Sequence, residues 1–290
     1  MSSERPARPP LRSLLFVPGI RTEWLPKAAG ADAVILDLED SVPPGRRAEA
    51  TERVAAAVRD SDGGPALFVR INSLDSWEAA DELRAVIGPR LAGVVLPKVD
   101  GVRDVQLADS LIGFGERQQG LPDGSVAVIP LLETANGLRS AYRIASAVPR
   151  VEYLGAVTGP GGDVERAIGY RWTPGGAETA ELRSRVLVDA RAAGVRNPVC
   201  GLWTRIDDVA GLREYAQRNR ALGYTGMMAI HPSHIPVINE AFAPGPEELA
   251  RYARLIQAYE EGRAAGQGAV AFEGDMIDEA MAELARRRLT

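Results

Sequence analysis

The chain has 290 residues, 46% hydrophobic and 25% charged, with a formal net charge of −5 and a single cysteine, Cys200. That balance suits one globular domain with a large buried core. The lone cysteine excludes an intramolecular disulfide framework and fits a reducing cytoplasm. The mild negative charge leaves no electrostatic footprint for nucleic acid, and no apolar run approaches the roughly 20 residues that span a bilayer.

In chain order, residues 1–11 are polar and proline-rich, have no apolar stretch of signal-peptide length, and are expected to form a disordered tail. Eight short apolar runs follow, most of them ending at a polar or charged residue. They are SLLFVP (13–18), AVILDLE (33–39), ALFVRIN (66–72), GVVLPKV (93–99), SVAVIPLLET (125–134), EYLGAVTG (152–159), NPVCGLW (197–203) and MMAIHP (227–232). Consecutive Val, Ile and Leu, without strict alternation, is what strands covered on both faces require. Pro130 within the fifth run cannot donate to a ladder and calls for a bulge. Segments 49–60, 81–88, 137–148, 180–194 and 211–223 have helical spacing, several with glycine just past the end. Eight strand-helix units predict a (β/α)8 TIM barrel over residues 12–244. Residues 245–290 lie beyond the repeat: a helix begun by Pro246 and two glutamates, an extended piece with a turn at Glu273-Gly274-Asp275, and a last helix closed by arginines. They are expected to form a helical lid or oligomerisation extension.

Active sites of such barrels lie at the carboxyl ends of the strands. Asp37, Glu39, Asp40, Arg70, Lys98, Glu133, Asp163, Arg205 and His231 are thereby assigned to one rim. Glu133 and Asp163 follow neighbouring strands, and two hard oxygen ligands with room for water are how Mg²⁺ is held; capping the next helices is the alternative. Gly159, Gly161 and Gly162, with Pro160, strip side chains away before Asp163, which favours the metal. Asp37, Glu39 and Asp40 suit a group that holds metal-bound waters, or, for Asp40, a helix start. Arg70 ends an apolar strand and needs an anion: either a substrate oxyanion or a permanent partner such as Glu39 or Glu133. Lys98 invites comparison with Schiff-base lysines, and His231 reads as an acid-base group or a hydrogen-bonded structural one. The glycine-rich V-T-G-P-G-G-D loop lacks the lysine of a phosphate-binding P-loop.

R-S-L-L-F-V-P-G, D-L-E-D-S-V, V-R-I-N, L-P-K-V, L-L-E-T-A-N-G, A-I-H-P-S-H and G-A-V-A-F-E-G-D-M-I-D, in that order, resemble the citrate lyase beta-subunit-like branch of the HpcH/HpaI aldolase superfamily, which includes malyl-CoA and citramalyl-CoA lyases. The resemblance implies a cytoplasmic, Mg²⁺-dependent carbon-carbon lyase, with Mn²⁺ as a substitute metal, acting on a β-hydroxyacyl-CoA thioester through an enolate. It implies metal ligation by Glu133 and Asp163, catalysis by Arg70, Glu133 and Asp278, and water-mediated support from Asp37, Glu39 and Asp40. It also implies substrate contacts from Arg12, Arg70, Lys98, Gly161, Gly162 and Asp163. Asp278 in M-I-D matches a residue that reaches a neighbouring subunit's site, which implies a homo-oligomer, a trimer or hexamer. The alternatives are a metal-dependent aldolase of a free hydroxy-oxo acid and a non-catalytic subunit of an acyl-carrier lyase complex. The chain departs from the family pattern at V-T-G-P-G-G-D, V-C-G-L-W, Gly226-Met227 and I-R-T-E-W.

Overall fold

The structure is a computed structural model and describes residues 8–289. Its parallel strands are β1 (Ser13–Pro18), β2 (Ala33–Asp37), β3 (Ala66–Arg70), β4 (Leu91–Leu96), β5 (Ala127–Pro130), β6 (Tyr153–Val157), β7 (Asn197–Gly201) and β8 (Gly226–Ala229). They pair in the order β5-β4-β3-β2-β1-β8-β7-β6. Single bridges Val128–Val151 and Leu131–Gly155, and a 2.9 Å bond from Leu132 N–H to Gly155 O, close β5 onto β6. The expected TIM barrel is therefore borne out. Around it run α1 (Arg47–Arg59), α2 (Glu78–Val86), α3 (Val102–Gln118), α4 (Ala135–Arg139), α5 (Ala141–Ser146), α6 (Asp163–Ile168), α7 (Ala180–Ala192), α8 (Val209–Leu222) and α9 (Ile235–Phe242).

The two-residue period of each strand sorts its side chains into two cores. Leu14, Ala33, Ile35, Phe68, Val95, Ala127, Ile129, Leu131, Tyr153, Val199 and Met228 form one cluster, the barrel interior. Their neighbours Leu15, Val34, Leu36, Val69, Val94, Leu96 and Val128 join the larger cluster shared with the helices. Interior space is shared between large and small residues: Phe68 meets Tyr153 edge-on at 5.8 Å, and a Cβ at Gly93 would lie 2.5 Å from the Phe68 ring.

Most strands end earlier than their apolar-plus-polar runs suggest: Asp37 and Arg70 are the last paired residues of β2 and β3, while Glu39, Lys98 and Glu133 lie beyond the ladder on the rim. Pro130 is the last residue of β5, so no bulge is required to accommodate it. The single helix expected over 137–148 is two, broken at Ser140 (φ −100°, ψ 11°).

Residues 243–289 form a second compact unit. It consists of α10 (Pro246–Ala264), an antiparallel hairpin of β9 (Ala269–Phe272) and β10 (Asp275–Asp278), and α11 (Glu279–Leu289). Glu273 and Gly274 both have positive φ, 49° and 91°, as a two-residue hairpin turn with right-handed strand twist demands. Arg251 and Arg254 hold the Glu273 carboxylate at 3.0 and 2.8 Å, and Leu255, Tyr259, Phe272, Ile277, Ala282 and Ala285 make the unit's own core.

At the amino ends of the strands the chain is well anchored. Arg8 donates to the carbonyls of Ala92, Gly124 and Ser125, the Tyr153 hydroxyl donates to Pro9 O at 2.9 Å, and Leu11 is buried. Residues 8–11 of the expected tail are thus bonded to the barrel, and residues 1–7 lie outside the described residues. Arg12 lies at the other end of the barrel. It precedes β1 and forks onto Asp32, which precedes β2, with Nε–Oδ2 at 2.9 Å and Nη2–Oδ1 at 2.7 Å. This pair ties strand starts together on the rim opposite Arg70 and Glu133. Arg12→Gln is expected to lower stability by about 1 kcal/mol, measured by denaturant unfolding, while chemistry at the other rim is unchanged; a loss of activity beyond the loss of folded protein would contradict this placement.

Candidate active site

Strand parity continues past the ladder and decides which polar side chains enter the barrel mouth. Ala33 and Ile35 face inward, and Asp37 and Glu39 extend their series; Phe68 is followed by Arg70, and Ile129 and Leu131 by Glu133. Arg70 is the centre of the group. Its guanidinium lies 4.8 Å from the Phe16 ring and is forked onto Asp37, Nε–Oδ1 at 2.6 Å and Nη2–Oδ2 at 2.8 Å. Nη1 reaches Glu39 Oε2 at 3.1 Å and Asp40 Oδ2 at 3.6 Å. Burial alone would raise the Asp37 carboxyl, yet the Arg70 fork and bonds from Ser41 and Glu39 hold it below the ordinary range. Burial opposes the Arg70 charge too, and the same carboxylates outweigh it and raise its pKa.

Asp37 also accepts the backbone N–H groups of Glu39 (3.0 Å) and Ser41 (3.1 Å). Its four acceptor directions are filled from within the protein, so it orients Arg70 and its own loop, a different task from holding metal-bound water. Neither Asp40 nor Ser41 starts a helix, since α1 begins at Arg47.

Lys98 is off parity. By register it belongs with Val94 and Leu96 on the outer face, but its φ of 48° places it in the left-handed region, a rare and costly conformation for a lysine. The turn brings Nζ onto Glu39 Oε1 and to 3.4 Å from Asp40 and 3.5 Å from Asp163. Burial favours the neutral amine, but the hydrogen bond to Glu39 and the flanking carboxylates override it and raise the pKa. A Schiff-base role needs the neutral amine, so the surroundings of Lys98 oppose it.

Glu133 is 5% exposed and its Oε2 has no hydrogen-bond partner. Burial pushes its carboxyl up to about 7; Glu39 and Asp163 push the same way, and Arg70 and Lys98 partly offset them. Glu133 does not cap the helix after it: Thr134 does, accepting Gly137 N–H at 2.8 Å. Asp163, the first residue of α6, likewise follows the cap residue Gly162, and its carboxylate meets Lys98 and Arg166. Gly161 takes up a φ of 72°, and its N–H donates to Glu165 Oε2 at 2.7 Å, so Glu165 ties down the glycine loop.

The mouth therefore gathers Asp37, Glu39, Asp40, Arg70, Lys98, Glu133 and Asp163, as expected from their positions after strands. Arg205 stands by the Trp172 ring at 5.9 Å, and His231 bonds Ser233 Oγ at 2.7 Å in its own turn. Asp278 lies in the second unit, where it accepts Met281 N–H at 3.1 Å and starts α11. Two latches escaped sequence reasoning. Asp100 accepts the Thr134 hydroxyl (2.7 Å) and Asn136 Nδ2 (3.0 Å), docking the turn after β5 on the turn after β4. The approach is so close that a Cβ at Gly137 would lie 2.2 Å from Val99 O. The second joins Asn72, Glu82 and Leu38. Beside the mouth a cavity of about 320 Å³ is lined by Ser73, Lys98, Asp100, Arg103 and Asn136, among others.

Among the described residues no set of three or more His, Cys, Asp or Glu side chains is spaced to cage a metal. Five carboxylates (Asp37, Glu39, Asp40, Glu133, Asp163) nevertheless face three cations (Arg70, Lys98, Arg166). With all five carboxylates ionised the formal excess is two negative charges, and that excess with an orphaned carboxylate oxygen fits a divalent cation carried by two protein ligands and water.

A family model described as HpcH/HpaI aldolase/citrate lyase matches residues 12–232. A citrate lyase subunit beta-like protein of Deinococcus radiodurans is 38% identical over 97% of this chain and 96% of its own length. The human mitochondrial citramalyl-CoA lyase is 30% identical over 97% of this chain and 85% of its own. The solved structure of protein CitE from Mycobacterium tuberculosis in complex with magnesium, acetoacetate and coenzyme A is 33% identical, with a TM-score of 0.75, over 96% of this chain and 97% of that one. With that model matched over most of the chain, and relatives 30–38% identical over nearly all of it, the chain belongs to the HpcH/HpaI aldolase/citrate lyase family.

Proposed function

We propose that the chain is a Mg²⁺-dependent carbon-carbon lyase that cleaves or forms a β-hydroxyacyl-CoA of the malyl-CoA or citramalyl-CoA type. The observation that carries the reading is the buried, unpartnered Oε2 of Glu133 in a mouth with two uncompensated negative charges beside the Arg70 cation. Glu133 and Asp163 would hold the metal, which supplies Lewis-acid polarisation of the oxo-acid oxygens.

In the cleavage direction the substrate hydroxyl would pass its proton to a carboxylate of the mouth, the bond between the carbinol carbon and the carbon next to the thioester breaks, and the electron pair moves onto the thioester half as an enolate. The 2-oxo acid leaves, and a proton is delivered to the enolate carbon. Arg70 is charged at every working pH and is immobilised by Asp37, so its remaining N–H donors meet developing negative charge without reorganisation. Lys98 stays an ammonium and suits the carboxylate of the oxo acid, with the Gly161-Gly162 turn leaving room for it. Asp278, supplied by another copy of the chain, would deliver the proton to the enolate carbon; that role makes the enzyme a homo-oligomer, a trimer or hexamer, with the barrel at 12–244 and a lid at 245–290. No helix among the described residues is long and apolar enough to cross a membrane. A cytoplasmic location is consistent with the buried free thiol of Cys200.

The deciding experiment is calorimetric titration of acetyl-CoA and propionyl-CoA into protein with Mg²⁺ and glyoxylate or pyruvate, followed by mass spectrometry. A condensed acyl-CoA supports the lyase and names its substrates; oxo-acid binding without CoA binding would transfer the proposal to a free-acid aldolase. Glu133→Gln and Asp163→Asn are each expected to abolish metal-dependent turnover with the fold intact, and full activity in either would remove the metal assignment. A pH effect follows from Glu133 as well. Its folded-state value near 7 lies above the ordinary 4.5, so the contribution of this one carboxyl to stability is fully present below 4.5 and is lost as pH rises through 7. In chelator-treated protein, Glu133→Gln should therefore be more stable than the parent at pH 8, by on the order of 3 kcal/mol, and equal to it at pH 4. Thermal midpoints that shift alike at both pH values would refute this.

A further inference from the structure

We infer that Glu82, a buried carboxylate on α2, is a positioning residue that holds the strand ends bearing Arg70 and Glu39 in register by way of Asn72. Its kinetic consequence rests on the lyase reading above; its structural consequence does not.

Glu82 is 2% exposed, on the face of α2 whose other members, Ala79, Leu83 and Val86, pack into the core. A carboxylate in that environment is costly unless its oxygens are hydrogen-bonded, and an apolar residue would serve packing better. Both oxygens are committed to one residue of the loop after β3. Oε2 accepts Asn72 N–H at 2.8 Å, and Oε1 accepts Asn72 Nδ2. The other Nδ2 hydrogen goes to Leu38 O at 2.9 Å, across to the loop after β2. Leu38 lies between Asp37 and Glu39, and its own N–H donates to Arg70 O at 2.8 Å. A continuous path therefore runs from a rigid helix through Asn72 to both backbone groups of Leu38. On either side of that path stand Asp37 and Glu39, which grip the Arg70 guanidinium. The path meets Arg70 at its backbone carbonyl, through Leu38 N–H, so its effect on Arg70 is through backbone placement.

Glu116 supplies an internal control. It is also fully buried and also accepts backbone N–H groups, from Gly124 (3.1 Å) and Val126 (2.8 Å), but it does so at the amino ends of the strands, with Arg150.

The test compares Glu82→Gln, Asn72→Ala and Glu116→Gln in the full-length Mg²⁺-loaded protein. Gln at 82 turns one acceptor into a donor facing Asn72 Nδ2. Expected for Glu82→Gln is a kcat lower by about ten- to a hundredfold, an unchanged KM for the acyl-CoA, and faster amide hydrogen exchange confined to residues 37–41 and 70–73. Glu116→Gln should lose stability with kcat of the folded fraction unchanged. Should Glu82→Gln fail to fold, Asn72→Ala cuts the same path with α2 intact and carries the same expectation. Equal kcat losses in the Glu82 and Glu116 variants, or exchange at 37–41 and 70–73 that matches the parent, would overturn the clamp. A parent protein inactive on every acyl-CoA would overturn the lyase reading instead, and the exchange comparison would then decide the clamp alone.

Discussion

The rest of the site depends on the buried pair of Arg70 and Asp37. A guanidinium at the top of a barrel whose interior is Leu, Ile, Val and Phe has little water to solvate it, and breaking a buried pair by removing one partner typically costs about 3–5 kcal/mol. Asp37 meets that demand with both oxygens and is itself held by two backbone N–H groups. Once Arg70 is fixed, Glu39 has a cation on one oxygen and, through Lys98, a second cation on the other. Lys98 then places its remaining charge beside Asp163. From Asp37 to Asp163, each side chain of this series is held by the one before it.

Two kinds of backbone control bring these groups together. The first is the pleat: a two-residue alternation chosen by the apolar core carries on for a residue or two after the ladder stops, and delivers Asp37, Glu39, Arg70 and Glu133 inward without any special geometry. The second is strain. Lys98 reaches the same space from the wrong face of β4, through a left-handed residue whose cost is of order 1–3 kcal/mol. A fold retains such a residue where the surroundings over-determine it, and three carboxylates around one ammonium do so here.

These differences in mechanism explain what could be read before the structure. Eight strands were legible because runs such as AVIL and GVVL are covered on both faces and need no partner to be recognised. Arg70 and Glu133 were legible because a charge at the end of such a run is costly to bury and is kept only where an ion pair or a ligand needs it. The place of Arg12 was not legible, since a basic residue just before a strand and one just after it look alike in a motif, yet they sit on opposite rims. The hold of Asp37 on Arg70 was not legible either, because that partner is 33 residues away. Glu82 gave no signal: in DELRAVIG it reads as one more solvated helix charge, and only the packing of Ala79, Leu83 and Val86 turns it inward.

The availability of Glu133 and Asp163 is itself a product of the turns around them. A carboxylate at the start of a helix ordinarily satisfies itself on backbone N–H groups. At α4 that role is taken by Thr134, which accepts Gly137 N–H while its own hydroxyl donates to Asp100; before α6 the loop N–H of Gly161 goes to Glu165. With the local donors occupied, Glu133 Oε2 is left buried and unpaired, and Asp163 is left to side-chain cations. The unmet demand in the mouth is then electrostatic, an excess of two negative charges, and a ligand that brings two positive charges meets it without disturbing any turn. The Thr134 cap that stabilises α4 thereby leaves the neighbouring Glu133 carboxylate for chemistry.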